Sequence, residues 1–191
     1  MKLILASSSP YRKAQLERLA LEFTCVAPDV DETALPAETA DQLASRLAQQ
    51  KATAVAQNHT DAWVIGSDQV ACLDLQLIGK PGNREAAIAQ LEASSGRQLD
   101  FFVGICLLHQ GRQRQHVWTE TYSVQFRALN KQQIERYVDT DKPFNCAGSF
   151  RSESLGVALF SRMWGEDPNT LVGLPLLRLI KKLNEEGFQI P

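Results

Sequence analysis

The 191-residue chain predicts an α/β fold with a mixed, twisted sheet, and two observations carry that expectation. In the first half, short apolar runs rich in β-branched residues alternate with capped helical segments, the pattern of strands joined by crossover helices. In the middle, two long strand patterns follow one another with only the polar GRQRQ between them, which reads as an antiparallel meander. Parallel and antiparallel pairs in one sheet point to two lobes within one domain. No linker, repeat or low-complexity run divides the chain, and its length suits one substantial core, so residues 1–191 read as a single domain.

The elements follow in order. Residues 2–6 are a buried strand, and Ser9-Pro10 supplies an N-cap and a first-turn proline for a helix to about Ala20. Residues 22–27 (EFTCVA) alternate as a strand, and PDVDET is an acidic, turn-rich connection. From Thr39 to Gln57 a helix is expected, with Leu43, Leu47 and Val55 on one face. WVIGSDQVACL is a buried strand interrupted by Gly66, and LIGKPGN is a loop leading to an Ala-rich helix from about Arg84 to Ala93. Strands follow at Gln98–His109 and Gln115–Ala128, a helix at Leu129–Asp139, a strand at Val157–Met163 and a last helix from Pro175 to Glu186, closed by Gly187.

Composition narrows the function. A net charge of -2 argues against a dedicated nucleic-acid or membrane-surface binder, so any anion site must be local. Cys25, Cys72, Cys106 and Cys146 stand singly among apolar neighbours without CxxC spacing and read as buried, reduced thiols. His59, His109 and His116 lie in polar connecting or strand-edge sequence and suggest neither a zinc site nor a triad. The apolar run after Lys2 is too short for a secretory signal, and no stretch is long enough to span a membrane, so a cytoplasmic protein is expected.

Three places depart from the pattern of an ordinary core. The first is SSSPYRK, where Ser7 to Ser9 and the free N–H groups of a helix start meet Arg12 and Lys13. An ordinary capped helix with a basic first turn is the plain alternative, yet cations there oppose the helix dipole, a penalty that a bound polyphosphate relieves. The second is Lys51, which helical spacing from Leu47 and to Val55 places on the apolar stripe, either snorkelling at the core edge or aimed into a cleft. The third is Asp68, a carboxylate inside an apolar strand, where desolvation is costly without a cation, a metal or hydrogen bonds. Asp31, Glu32 and Lys80 are individually weak signals. Together the set holds carboxylates for a divalent cation and cations for a polyphosphate, the inventory of metal-assisted phosphoryl-anhydride hydrolysis.

These residues stand in motifs that resemble the Maf family of nucleoside triphosphate pyrophosphatases over nearly the whole chain: ASSSPYRKAQL, VDET, QQKA, IGSDQV, GKP, CAGSF and DPNTLVGLPL, in that order. The resemblance implies a fold similar to the inosine triphosphate pyrophosphatases, with a central cleft between the two lobes and often a homodimer. It implies hydrolysis of a small-molecule nucleoside triphosphate to its monophosphate and pyrophosphate, with a divalent metal cation such as Mg, Mn or Co. Asp68 matches the family's catalytic aspartate, the base for water. Ser7, Ser9, Arg12, Lys51 and Lys80 match positions around the phosphates, Glu32 and Asp68 are assigned to the metal, and Lys13 stands where the family usually has a second arginine.

GSDQV is similar to the branch of the family acting on 7-methyl-GTP, whereas the branch acting on dTTP and UTP typically has threonine after the aspartate. Tyr11, Gln69 and Glu153 match the specificity positions of the former. Methylation at N7 makes guanine cationic, which strengthens stacking on an aromatic face, and a glutamate can accept from its N1–H and amino group. The expected activity is therefore conversion of 7-methyl-GTP to 7-methyl-GMP and pyrophosphate, a house-cleaning of modified nucleotides. A pyrimidine triphosphate pyrophosphatase and a non-catalytic nucleotide-binding regulator of cell division are the competing readings.

Overall fold

The computed structural model describes all residues, Met1–Pro191. The first strand, β1 (Leu3–Ala6), runs into α1 (Pro10–Glu17) through Ser9, whose Oγ accepts from the Arg12 N–H at 3.3 Å. This helix stops short of Ala20, which adopts a left-handed φ of 52° that ends the turn. Only Thr24–Cys25 (β2) of the expected 22–27 strand is paired, because β1 offers it just Ile4 and Leu5.

The next helix, α2 (Ala40–Ala56), begins at a capping box in which Gln42 Oε1 accepts from the Thr39 N–H at 3.1 Å. The long strand β3 (Trp63–Leu73) passes through Gly66 without a break. A short strand, β4 (Gln76–Ile78), then folds back on its end, so the segment expected to be wholly loop begins as a hairpin. There follow α3 (Arg84–Ser94), β5 (Gln98–His109), β6 (Arg114–Phe126), α4 (Lys131–Asp141), β7 (Phe160–Gly165) and α5 (Leu176–Glu185). Two of these later starts moved for local reasons. Asn130 caps α4 and so delays it to Lys131, and residues 155–159 take a 3-10 turn, so β7 starts three residues later than the apolar pattern suggests.

One seven-stranded sheet results, ordered β2-β1-β3-β5-β6-β7 with β4 on β3. The pairs of β1 with β2 and β3 are parallel, and all others are antiparallel. The two lobes share their longest strands. On one face, Trp63, Ile65, Ile105 and Leu107 pack with Leu16, Leu179 and Leu183 at one end, while Ala71, Leu99 and Phe101 pack with Leu91, Ile134 and Val138 at the other. Alternation along each strand sends the intervening residues to the opposite face, which α2 covers.

The approach of α2 depends on two glycines facing it. A Cβ on Gly66 would lie 2.1 Å from the Ala48 carbonyl oxygen, and one on Gly104 would lie 2.1 Å from that of Ala44. Ala44, Ala48 and Ala52 complete the contact, so backbone meets backbone with nothing between. No helix is long and apolar enough to cross a membrane.

Candidate active site

Between the two lobes lies a cavity of about 660 Å³, large enough for a nucleotide-sized ligand. Its floor is the middle of β3. Asp68 shares a face with Gly66, two residues earlier, and pairs in register with Gly104. Its carboxylate therefore points at α2 where the helix comes closest.

Lys51, on α2, answers it. Its ammonium binds Asp68 Oδ1 at 2.6 Å and Glu32 Oε1 at 2.5 Å, and Lys51 and Asp68 are only 6% and 8% exposed. Of the two readings open for Lys51, a snorkelling stem or a cleft cation, the structure takes the second. In the free protein this lysine bridges two carboxylates. Burial alone would raise the Glu32 carboxyl above its ordinary range, but Lys51, with Lys80 and Arg12 nearby, holds it below. No hydrogen bond from the protein takes Asp68 Oδ2.

The start of α1 forms the adjoining wall. Ser7 Oγ accepts from the Ser9 N–H at 3.1 Å, so both serine oxygens serve the local backbone while their O–H groups remain donors. Arg12 donates from Nε to the Gly173 carbonyl at 3.0 Å, and its charge lies near Asp68 and Glu32. Lys13 is not part of this wall: one residue on, about 100° around the helix, it is exposed and faces Glu17 at 3.7 Å. The structure does not bring it to the cavity with Ser7, Ser9 and Arg12. Lys80, exposed after β4, and Glu32, on the loop before α2, both line the cavity.

The motif DPNTLVGLPL holds this wall in place. Asp167 accepts from the Asn169 N–H at 2.8 Å and from the Leu177 N–H of α5 at 2.8 Å, tying a 3-10 turn (Pro168–Val172) to that helix. The turn's carbonyls then hold the site. Gly173, at a φ of 104° that favours glycine, accepts from Arg12 and from Ser67 Oγ at 2.9 Å, and the Gln69 amide donates to Leu171 at 2.9 Å and Thr170 at 3.3 Å. With its N–H groups so engaged, Gln69 keeps its Oε1 as a free acceptor.

Tyr11 and Glu153 line the far end of the same cavity, together with Cys146, Phe101 and Phe150. Burial, and then the neighbouring Cys146 thiol, push the Tyr11 hydroxyl above its ordinary pKa. Here two expectations about cysteines change. Cys25 is exposed, and Cys146 lines the cavity; only Cys72 and Cys106 are buried, and all four are free. His109 is buried against Trp63, its ring accepting the Arg112 N–H, away from the site.

Sequence reasoning missed the supports of these loops. Arg46 of α2 grips Glu38 with two hydrogen bonds (2.6 and 2.8 Å) and the Thr33 carbonyl with a third (2.9 Å), fixing the segment that carries Glu32. At the other end Asp141 organises residues 151–154. The Tyr137–Asp141 spacing, one helical turn, was the only signal for it.

The cavity has no cluster of three or more His, Cys, Asp or Glu side chains. Glu32 and Asp68 alone fit a magnesium-type ion, which commonly takes one or two carboxylates and completes its shell with substrate phosphates and water. A cleft between lobes that share one mixed sheet, with paired carboxylates facing a cationic helix start, marks a nucleotide-phosphate-handling α/β fold. The same fold occurs in the Ham1 proteins of Staphylococcus aureus (TM-score 0.55, 16% identity, 97% of this chain and 100% of that one) and Coxiella burnetii (TM-score 0.54, 18% identity, 97% and 99%). The family model described as Maf-like protein matches residues 2–186, and the chain belongs to the Maf family. Relatives from Alcanivorax borkumensis (50% identity, 99% of this chain, 96% of that one), Xanthomonas axonopodis pv. citri (51%, 100% and 99%) and Pseudomonas aeruginosa (48%, 99% and 98%) each bear the name 7-methyl-GTP pyrophosphatase.

Proposed function

We propose that this protein hydrolyses 7-methyl-GTP to 7-methyl-GMP and pyrophosphate, with Asp68 as the base. The observation that carries the reading is the meeting of Asp68, Glu32, Lys51 and Arg12 in one cavity that Tyr11, Gln69 and Glu153 also line. Asp68 Oδ2, unoccupied by protein donors, takes the proton as a water oxygen attacks the α-phosphorus. The bond to the α–β bridging oxygen breaks, and pyrophosphate leaves with the electron pair. Arg12, Lys80 and the serine O–H groups meet the growing negative charge, and donors already in place are worth most there because little reorganisation is needed.

A divalent cation held by Glu32 and Asp68 would supply charge neutralisation on the phosphates. At the base end, the Tyr11 ring offers a face for a cationic purine, and Glu153 and Gln69 Oε1 offer acceptors for the N1–H and amino group of guanine. Such a substrate belongs with an enzyme of the cytoplasm, where nucleoside triphosphates are made.

A pyrophosphate-release screen over 7-methyl-GTP, GTP, dTTP and UTP tests substrate and reaction together. Asp68→Asn keeps shape and removes the base, so turnover falls by at least about 10²-fold. Full turnover in that variant refutes the assignment of the base, and a preference for dTTP or UTP refutes the assignment of substrate. Tight nucleotide binding with no product under any metal refutes catalysis altogether.

A further inference from the structure

Arg151 lies beside Tyr11, and at first sight it is the wrong charge to place next to a site for a positively charged base. The structure shows how it is restrained. Asp141, at the end of α4 and 5% exposed, accepts from Arg151 Nη2 at 2.7 Å, from Ser154 Oγ at 2.5 Å and from the Tyr137 hydroxyl at 2.9 Å. The same Nη2 also reaches the Asp141 carbonyl at 2.6 Å, and the Arg151 N–H donates to the Tyr137 hydroxyl at 3.0 Å. The loop closes on itself as well, since Ser154 and Gly156 N–H groups donate to the Arg151 carbonyl, and a Cβ on Gly156 would stand 2.3 Å from that oxygen.

Two residues of the segment 151–154 are thus pinned to one buried carboxylate, and Glu153 stands between them. Glu153 is exposed to the cavity, and no cation pairs with it. Arg151, two residues away, also lies beside the Tyr11 hydroxyl. Freed from Asp141, its guanidinium has Glu153, two residues along the same loop, within reach of its long side chain.

We infer that Asp141 is a specificity-positioning residue: by neutralising and holding Arg151, it keeps Glu153 unpaired and available to a cationic base. The inference rests on the substrate reading above and adds to it the group that keeps the base end of the cavity net negative. Asp141 touches neither substrate nor reacting atoms; it acts through Arg151 and Glu153. Its hydrogen bonds outweigh the cost of burying it and hold its carboxyl below the ordinary range, so it remains charged at neutral pH.

The test is the ratio of kcat/KM for 7-methyl-GTP to that for GTP, two substrates that differ in one methyl group and one charge. In Asp141→Asn the ratio falls about tenfold or more, while kcat on GTP stays within about threefold of wild type. In the double variant Asp141→Asn/Arg151→Gln the ratio recovers, because the released cation is gone. A purely structural role for Asp141 lowers both substrates in parallel and gives no recovery, and that result overturns the inference.

Thermal melts show whether each variant folds. If Asp141→Asn does not, Arg151→Gln alone decides: the ratio is kept or raised if Arg151 opposes a cationic base, and a fall overturns the inference. A wild type with no preference for 7-methyl-GTP refutes the substrate reading and the inference together. A wild-type preference that Asp141→Asn leaves intact refutes the inference alone.

Discussion

The substitution Gly104→Ala tests how the site is built without touching any group that meets substrate. Gly104 faces α2 and pairs in register with Asp68, and an added Cβ would sit 2.1 Å from the Ala44 carbonyl oxygen and 2.7 Å from the Ser45 nitrogen. Both atoms are backbone, so no side chain can rotate away. Ordinary contact begins near 3.4 Å, so α2 must retreat by about 1.3 Å at that point. Overpacking of this kind costs about 1–3 kcal/mol, offset by up to about 1 kcal/mol from the smaller entropy of the unfolded chain. A net loss of about 2 kcal/mol lowers Tm by about 4–8 °C in a protein of this size.

Activity falls further than stability. Lys51 rides on the same helix, and its 2.6 Å bond to Asp68 does not survive a retreat of that size without rearrangement. Misplacement by about 1 Å at a reacting centre costs about 10²-fold, which is the expected drop in kcat/KM for pyrophosphate release. Gly79→Ala, with nothing within 4 Å of the added carbon, is the stability control. A Gly104→Ala protein that melts within about 1 °C of wild type and turns over within about twofold would falsify the backbone-contact account.

Other outcomes follow from the same geometry. Arg12→Lys retains the charge but loses the Nε bond to Gly173, so kcat/KM falls about 10- to 100-fold with the fold intact by circular dichroism. Lys51→Met leaves Glu32 and Asp68 without their shared cation; turnover drops, while Mn²⁺ binding without nucleotide, read by electron paramagnetic resonance, tightens, and unchanged or weaker binding refutes the bridge. Arg46, with the Leu35 N–H, lowers the Glu38 carboxyl from its usual 4.5 to about 2. A carboxyl depressed by folding stabilises the protein above its unfolded pKa, and that contribution is lost as pH falls from about 4.5 towards 2. The Tm difference between wild type and Glu38→Gln therefore shrinks across that window, and a pH-independent difference counts against the Arg46 grip.

Much of the fold was legible in the chain because local patterns and the tertiary structure agree. Apolar runs at Leu3–Ala6 and Trp63–Leu73 became a parallel pair within the sheet, and the long strands about GRQRQ became the meander. Where boundaries moved, a cap or a 3-10 turn intervened, as at Asn130 and at residues 155–159. Asp68 and Lys51 were visible because a charge on an apolar stripe or strand is costly without a partner. Lys13 and Arg12 looked alike in sequence, and only the rotation of α1 separated a half-buried cation in the cavity wall from a solvated one.

The order of charged, apolar and capping residues along the chain determined which elements form and which charges needed partners, since both depend on interactions over a few residues. Tertiary structure alone decided that Lys51 would join Glu32 to Asp68, that Gly66 and Gly104 would set the height of α2, and that Asp141 would take Arg151. Those pairings join residues far apart in the chain or separated by an irregular loop, and no local period encodes the distance between a helix and the sheet beneath it.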